Sequence, residues 1–399
     1  MNAELQGWIA NVRFTAELQG WIANVRFTAE LQGWIANIRF TIRRRKQMKA
    51  AVWHGYKDVR IEEVAEPTPK KGQVKIAVDW AGICGTDRHE YEGPNFIPVK
   101  KPHRLTGRVA PLIIGHEFSG RIVELGEDVD GWKVGDRVTA NGSLTCGKCE
   151  ACRSGRYNIC QKLGFLGVGD DGAFADYVVV EAAKLFRIPE GVSQREAAVA
   201  EPLACGIHAT NLMGDMNGKD VVVIGPGIIG LSAFFGAKYA GASRILVSGI
   251  GDYRRELVER YGGTYIDSSK ADLEEYVQTW SDGRLADIVY ECIGAEKTLD
   301  QAIRITKPGG KLMVMGVFGK KPTVDMNTLQ EAERILYTSQ AHVNEIATAL
   351  EYMKEGKIRA DELITKEVTL DTLTEEGFEY LIGHGPENIK VLIKIGEEK

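Results

Sequence analysis

Four side chains in this chain could hold a reactive metal: the thiol of Cys84, the imidazole of His116 and the carboxylates of Glu117 and Glu201. Thiolate, imidazole and carboxylate together suit a catalytic zinc, which leaves one coordination position open for water or substrate. The histidine lies in Gly115-His116-Glu117-Phe118-Ser119-Gly120, a run that continues to Gly126 and Val129. Its glycines predict tight turns beside the histidine, where a bulky side chain would block the metal or its ligand. A lone Gly-His-Glu reads more simply as a buried, hydrogen-bonded histidine; the longer spacing singles this one out. Asp87, three residues past Cys84, is placed to orient a ligating histidine through its free nitrogen.

A second metal set follows. Cys146, Cys149, Cys152 and Cys160 stand at C-x2-C-x2-C-x7-C. Four thiolates in one loop close a tetrahedral shell, the make-up of a structural zinc site. An iron–sulfur cluster is the competing use of such a run, but no Cys-Pro follows here. Two zinc ions per chain are therefore expected. Cys205 and Cys292 read as small buried residues. Seven cysteines, an odd number with four clustered, argue against a disulfide framework and predict a reducing, cytoplasmic setting.

The third chemical feature is a glycine run. The apolar stretch 220–224 leads into Gly225-Pro226-Gly227-Ile228-Ile229-Gly230, and a helical pattern follows over 231–240. Strand, G-x-G-x-x-G and helix in that order allow a tight turn, the approach of a pyrophosphate and close helix–strand packing. The helix N-terminus then faces the anion. Gly225, Gly227, Ile228, Ile229 and Gly230 are the expected cofactor contacts.

These residues need two kinds of scaffold. Short β-rich runs at 50–53, 59–64, 73–80, 117–125, 174–180 and 184–188 predict an antiparallel β domain. Strands at 220–224, 244–247, 287–291, 311–315 and 334–339 alternate with helical patterns at 254–261, 271–280 and 297–306, which implies a doubly wound parallel sheet. A helix at 345–355 and a strand at 390–395 return to the first domain. The expected division is 48–204 with 340–399, and 205–339. Residues 3–15 read AELQGWIANVRFT; 16–28 repeat them identically, and 29–41 with Ile38 in place of valine. A period of 13 matches no solenoid repeat, and residues 1–47 read as a tandem duplication or appended extension without a functional role. A net charge of -5 gives no reason to expect nucleic acid or an anionic membrane. The longest uncharged apolar stretch, 221–237, is interrupted by Gly225-Pro226-Gly227 and too short to span a bilayer.

The histidine motif, complete from Gly115 to Val129, together with both cysteine sets and the glycine run, makes residues 48–399 resemble the zinc-dependent medium-chain alcohol dehydrogenases. The long insert with Phe96-Ile97-Pro98 and Pro102-His103, the segment 163–167 and Glu375-Glu376-Gly377-Phe378-Glu379 are most similar to the (R,R)-2,3-butanediol and sorbitol dehydrogenase branch. Tyr253-Arg254 is similar to threonine dehydrogenases. The resemblance implies an α/β architecture, a GroES-like β-rich catalytic domain plus a Rossmann domain. It implies Cys84, His116 and the Glu201-Pro202 carboxylate as catalytic zinc ligands, with Glu117 as the rival carboxylate. Thr86 would bind the substrate hydroxyl and His89 would pass its proton toward solvent. The implied reaction is hydride transfer between a secondary alcohol and NAD(P), in a homo-oligomer, dimer or tetramer. A vicinal diol is the expected substrate, with a polyol or L-threonine as alternatives. A non-enzymatic binding protein on the same fold would be expected to lose Cys84, Thr86, His89, His116 and Glu201, and all are present.

Aligning the second nucleotide-binding strand and its helix with the family puts Gly249 where an acidic residue selects NAD. A glycine there leaves room for a 2′-phosphate, with Ser248, Arg254 and Arg255 to bind it. NADP is therefore expected over NAD; the opposing readings are that Asp252 reaches back to the ribose, or that Arg254 stacks on adenine in an NAD enzyme. Because residues 1–47 supply no site residue, a chain starting at Met48 is expected to keep full turnover. Steady-state rates of the shortened and full-length proteins check this, and a folded but inactive short form would show a role for the extension.

Overall fold

The computed structural model describes residues 46–93 and 95–396, so the repeats at 3–41 lie outside the described residues. The unit Met48–Lys399 is the one described below. It begins with a small sheet in which β1 (Gln47–Gly55) lies between β2 (Asp58–Ala65) and β4 (Leu112–Ile113). The main β layer has β3 (Gln73–Gly82) at its centre. Antiparallel neighbours of β3 are β5 (Glu117–Leu125), β9 (Tyr177–Glu181) and β18 (Lys390–Lys394). Beyond β5 come β6 (Arg137–Ala140) and β10 (Leu185–Arg187), and beyond β18 comes β17 (Ile364–Thr369). A two-stranded pair, β7 (Ser143–Leu144) and β8 (Gly164–Phe165), flanks the cysteine loop.

The second layer is a parallel sheet of β11 (Asp220–Ile224), β12 (Arg244–Gly249), β13 (Thr264–Asp267), β14 (Ala286–Glu291), β15 (Thr306–Val314) and β16 (Ile335–Thr338). Its order is β13-β12-β11-β14-β15-β16, so the winding reverses between β11 and β14. Ligands of doubly wound sheets bind outside the strand ends at such a reversal. The central strand β11 is fully buried along Asp220–Ile224, as expected where helices cover both faces.

Three features differ from the sequence-based expectation. The four-residue strand β13 was not anticipated; it lies at the sheet edge, paired with β12, and is too short to carry a period. The helix Gly85–Glu92 was not anticipated either, because its residues are mostly polar. It starts where the Asp87 carboxylate accepts a hydrogen bond from the Cys84 N–H at 2.9 Å, which satisfies one of the free donors of a helix end. Finally, the helix Ala200–Met213 runs unbroken through the expected boundary at 204/205. Its apolar side joins the core of the parallel sheet through Leu203, Ala204 and Ile207.

The glycines of the histidine motif make the expected turn beside His116, at Gly115, and also serve packing. Gly115 has φ +96° and faces the Phe174 ring, which a Cβ would overlap. At Gly120 a Cβ would collide with the carbonyl of Ala77 on β3, and at Gly126 with that of Lys70. The motif thus lets β5 press against its neighbours. Gly120→Ala is expected to cost at least ~1–3 kcal/mol through overpacking against backbone that cannot yield. Urea denaturation checks it, and an unchanged midpoint would refute the packing role.

Candidate active site

Three strands meet at the site. In register, Glu117 of β5 lies opposite Gly82 of β3, and Gly82 lies opposite Leu392 of β18. Gly82 must lack a side chain, because a Cβ there would overlap the Glu117 carboxylate. That gap lets Glu117 reach Lys390, whose Nζ stands 2.6 and 2.9 Å from its two oxygens and 3.0 Å from the Ile83 carbonyl. Both side chains are 1% exposed. Just past β3 the chain delivers Cys84 to the start of the helix Gly85–Glu92, and His116 precedes β5. Metal-ligating atoms of Cys84, His116 and Glu117 all lie within 4.8 Å of one another.

Glu201 enters from the first turn of the helix Ala200–Met213 and is buried. It is absent from that closest trio; its Oε1 instead lies 3.3 Å from Nε2 of His342. Burial raises the Glu201 carboxyl, but the His342 contact and the charge of His116 bring its pKa below the ordinary value. Glu117 moves the other way: burial raises it, only partly offset by Lys390. Burial also raises Asp87. His116 is opposed by burial, yet Cys84 and Asp87, with Glu201 beyond them, raise its pKa well above the usual imidazole range. The pocket therefore gathers acidic groups and a thiol around one ammonium, a surplus of negative charge that a dication balances. Cys84, His116 and the two glutamates fit a zinc. Nδ1 of His116 and Oδ1 of Asp87 are buried without hydrogen-bond partners and face each other at 3.8 Å, too long for the expected hydrogen bond.

Thr86 and His89 lie one turn apart on the helix Gly85–Glu92, both half-buried. Burial and Arg88 lower the His89 pKa, which keeps the ring neutral and able to accept a proton at neutral pH.

The four-cysteine loop is assembled as the spacing predicts. Its sulfurs approach to 3.5 Å (Cys149–Cys152), 3.9 Å (Cys149–Cys160) and 4.0 Å (Cys146–Cys152). Tetrahedral zinc–thiolate geometry puts sulfurs about 3.8 Å apart. Backbone N–H groups of Cys146 and Lys162 point at Cys160 Sγ, each at 3.3 Å. Backbone donors lower the Cys149 thiol to about 6, while burial and the neighbouring sulfurs push Cys152 up to about 12. Crowded sulfurs resist joint ionisation until a cation joins them.

At the glycine run, Gly230 must be bare because a Cβ would overlap the Gly225 carbonyl. Gly227 has open space around it, at the start of the helix Ile228–Tyr239 that carries Ile228 and Ile229. The expected 2′-phosphate pocket is built differently from the sequence reading. A Cβ on Gly249 would overlap the Tyr265 hydroxyl, so this glycine is packed rather than roomy. Ser248 is buried in β12. Arg254 is 5% exposed and donates to the Pro386 carbonyl at 3.1 Å, turned away from solvent. Arg255 and Lys270 instead share Asp252, at 2.7 and 2.9 Å.

Lys390, His342 and Gly82 were not singled out from sequence. A lysine opening the apolar strand 390–394 was the available signal for the first; a solitary histidine at 342 carries none.

This geometry agrees with comparisons across known proteins. Residues 70–190 match the family model described as alcohol dehydrogenase GroES-like domain, and residues 229–355 match zinc-binding dehydrogenase. The chain is 38% identical to (R,R)-butanediol dehydrogenase of Bacillus subtilis (strain 168), over 87% of this chain and 99% of that protein. It is 39% identical to a sorbitol dehydrogenase of Halalkalibacterium halodurans, over 81% of this chain and 93% of the other. The crystal structure of 2R,3R-butanediol dehydrogenase from Bacillus subtilis superposes with a TM-score of 0.81 at 38% identity, covering 87% of this chain and 99% of that one. The chain belongs to the zinc-dependent medium-chain alcohol dehydrogenase family. It is a zinc-dependent oxidoreductase with a GroES-like domain and a Rossmann domain.

Lys390→Met strands the Glu117 carboxylate in the interior, and breaking a buried pair this way costs about 3–5 kcal/mol. Adding Glu117→Gln should recover much of that loss. Denaturation midpoints of the single and double variants test it; equal losses in both would mean the pair is not coupled.

Proposed function

We propose that this enzyme oxidises a vicinal diol such as 2,3-butanediol, and in reverse reduces its hydroxyketone acetoin, with NADP preferred to NAD. The carrying observation is the buried convergence of Cys84, His116 and Glu117, with Glu201 engaged by His342 nearby. Identity to the butanediol dehydrogenase over nearly all of that protein supports the diol. The sorbitol dehydrogenase likeness keeps polyol oxidation as the second reading.

In this reading Cys84, His116 and a carboxylate from Glu201 or Glu117 hold the catalytic zinc, and Cys146, Cys149, Cys152 and Cys160 hold a structural one. When bound, zinc supplies Lewis acidity at the carbinol oxygen and the nicotinamide accepts hydride. Thr86 would accept the hydrogen bond of the substrate hydroxyl and release its own hydroxyl proton as it takes up that one, and the nucleotide ribose would relay the released proton to His89, neutral and half-buried, which passes it to solvent. Lys390 keeps Glu117 charge-compensated. Gly225, Gly227, Ile228, Ile229 and Gly230 receive the pyrophosphate. The NADP preference is supported by the absence of a carboxylate at 249 and by Arg255 and Lys270, two cations that engage Asp252 while Lys270 also reaches Asp267 and Arg255 Glu259. Seven unpaired cysteines fit a cytoplasmic enzyme. The domain limits given above and a homo-oligomeric state belong to the same reading.

Initial rates on 2,3-butanediol, sorbitol and L-threonine with each cofactor test the proposal. The highest kcat/KM is expected for butanediol with NADP. Lys270→Ala should raise KM for NADP about tenfold and leave NAD kinetics nearly unchanged. A wild-type preference for NAD would overturn the cofactor assignment, and a preference for threonine or sorbitol the substrate. Metal analysis should return two zinc ions per chain. Mild chelation is expected to abolish turnover before the circular dichroism changes; loss of both together would contradict separate roles.

A further inference from the structure

We infer that the four-cysteine loop positions the catalytic site: Tyr157 and Asn158, between Cys152 and Cys160, hold residues 340–345 and thereby fix His342 against Glu201. The inference rests on the metal-site reading proposed above.

Asn158 is 4% exposed, and both hydrogens of its amide nitrogen are used. One goes to the Gln340 carbonyl at 2.8 Å and the other to Nε2 of His208 at 3.2 Å. A flipped amide would set oxygen against the Gln340 carbonyl, so the hydrogen bonds define the orientation. Nε2 of His208 can accept because Nδ1 faces Oε1 of Glu345 at 2.9 Å and carries the proton. Glu345 is raised by burial but brought down to about 2 by His208 and the Val343 N–H, so it stays ionised. The Tyr157 hydroxyl lies 2.5 Å from the Val343 carbonyl and 2.6 Å from Oδ1 of Asn344. Asn141 adds a bond to the same Val343 carbonyl at 3.0 Å.

Each flank of His342 is thus tied, on one side at Gln340 and on the other at Val343, Asn344 and Glu345. The His342 ring is 2% exposed; its Nδ1 has no partner, and Nε2 has the Glu201 carboxylate. Its placement therefore follows the backbone that carries it. That backbone is clamped by a loop whose own shape is set at Cys160, which closes a turn onto the Tyr157 carbonyl at 3.0 Å and brings its sulfur to 3.9 Å from Cys149. Tyr157 and Asn158 are positioning residues acting through His342.

The full-length enzyme carrying Asn158→Asp or Tyr157→Phe tests this, with Co2+ replacing zinc at the catalytic site. Asn158→Asp turns two donors into an acceptor facing the Gln340 carbonyl; Tyr157→Phe removes only the hydroxyl. Both are expected to keep two metals per chain, shift the visible ligand-field bands of the catalytic cobalt, and lower kcat by between about ten- and a hundredfold. Unchanged bands and kcat in both variants would overturn the inference. Should Asn158→Asp not fold, Tyr157→Phe decides alone by the same readouts. A wild-type protein that shows no cobalt bands from this site would overturn the site reading itself, an outcome distinct from unchanged variants.

Discussion

The ion pair between Lys390 and Glu117 is the constraint on which the site depends. A carboxylate buried beside a thiol, a histidine and two further acids requires a counter-charge in the interior, and Lys390 is the ammonium placed there. Its strand, β18, is drawn from the end of the chain, so the polypeptide must cross the whole parallel sheet and return. Once β18 pairs with β3, Gly82 opens the passage between the two charges. The order of elements in the chain and the electrostatics of the pocket are in this sense one problem with one solution.

The helix Ala200–Met213 is the second joint. Its first turn carries Glu201 toward His342, and its body packs on the helix Ile228–Tyr239 behind the glycine run. Gly206 lies so close to the backbone of Ser232 that a Cβ would overlap it, and at Gly236 a Cβ would meet the Thr210 hydroxyl. Close-packed helices move as a unit rather than slide. Glu201 and the helix that follows the glycine run are therefore held at a fixed spacing by two missing side chains.

Local chemistry was legible in the sequence wherever it was written in short spacings. The four cysteines, the strand–glycine–helix run and the Gly-His-Glu motif each mark a loop that the fold assembles compactly, because their residues lie within a few positions of one another. What escaped was chemistry assembled across long separations. Lys390 meets Glu117 from 273 residues away, and His342 meets Glu201 from the far side of the parallel sheet. No periodicity announces such pairs. The turn at Gly115 was legible, but the packing role of Gly120 and Gly126 was not, since a chain pressing on a neighbour's carbonyl leaves no local signature. Gly249 is the same case: its lack of a carboxylate was visible, while the Tyr265 hydroxyl over it was not.

The two cysteine-bearing centres manage negative charge by different means. The four-cysteine loop lies partly open to solvent and relies on backbone N–H groups, which stabilise some sulfurs and leave Cys152 strongly disfavoured as a thiolate. Among the described residues no lysine side chain hydrogen-bonds its sulfurs as Lys390 does Glu117, so a bound cation would supply their compensation. The catalytic pocket keeps an internal cation and a histidine whose proton is strongly favoured by its neighbours. Proton uptake at His116 would therefore offset part of the charge left in the pocket if a metal were withdrawn. Withdrawing one from the loop would leave sulfurs that cannot all ionise together and no bond to gather them, and the segment they shape is the one that reaches the strap at 340–345.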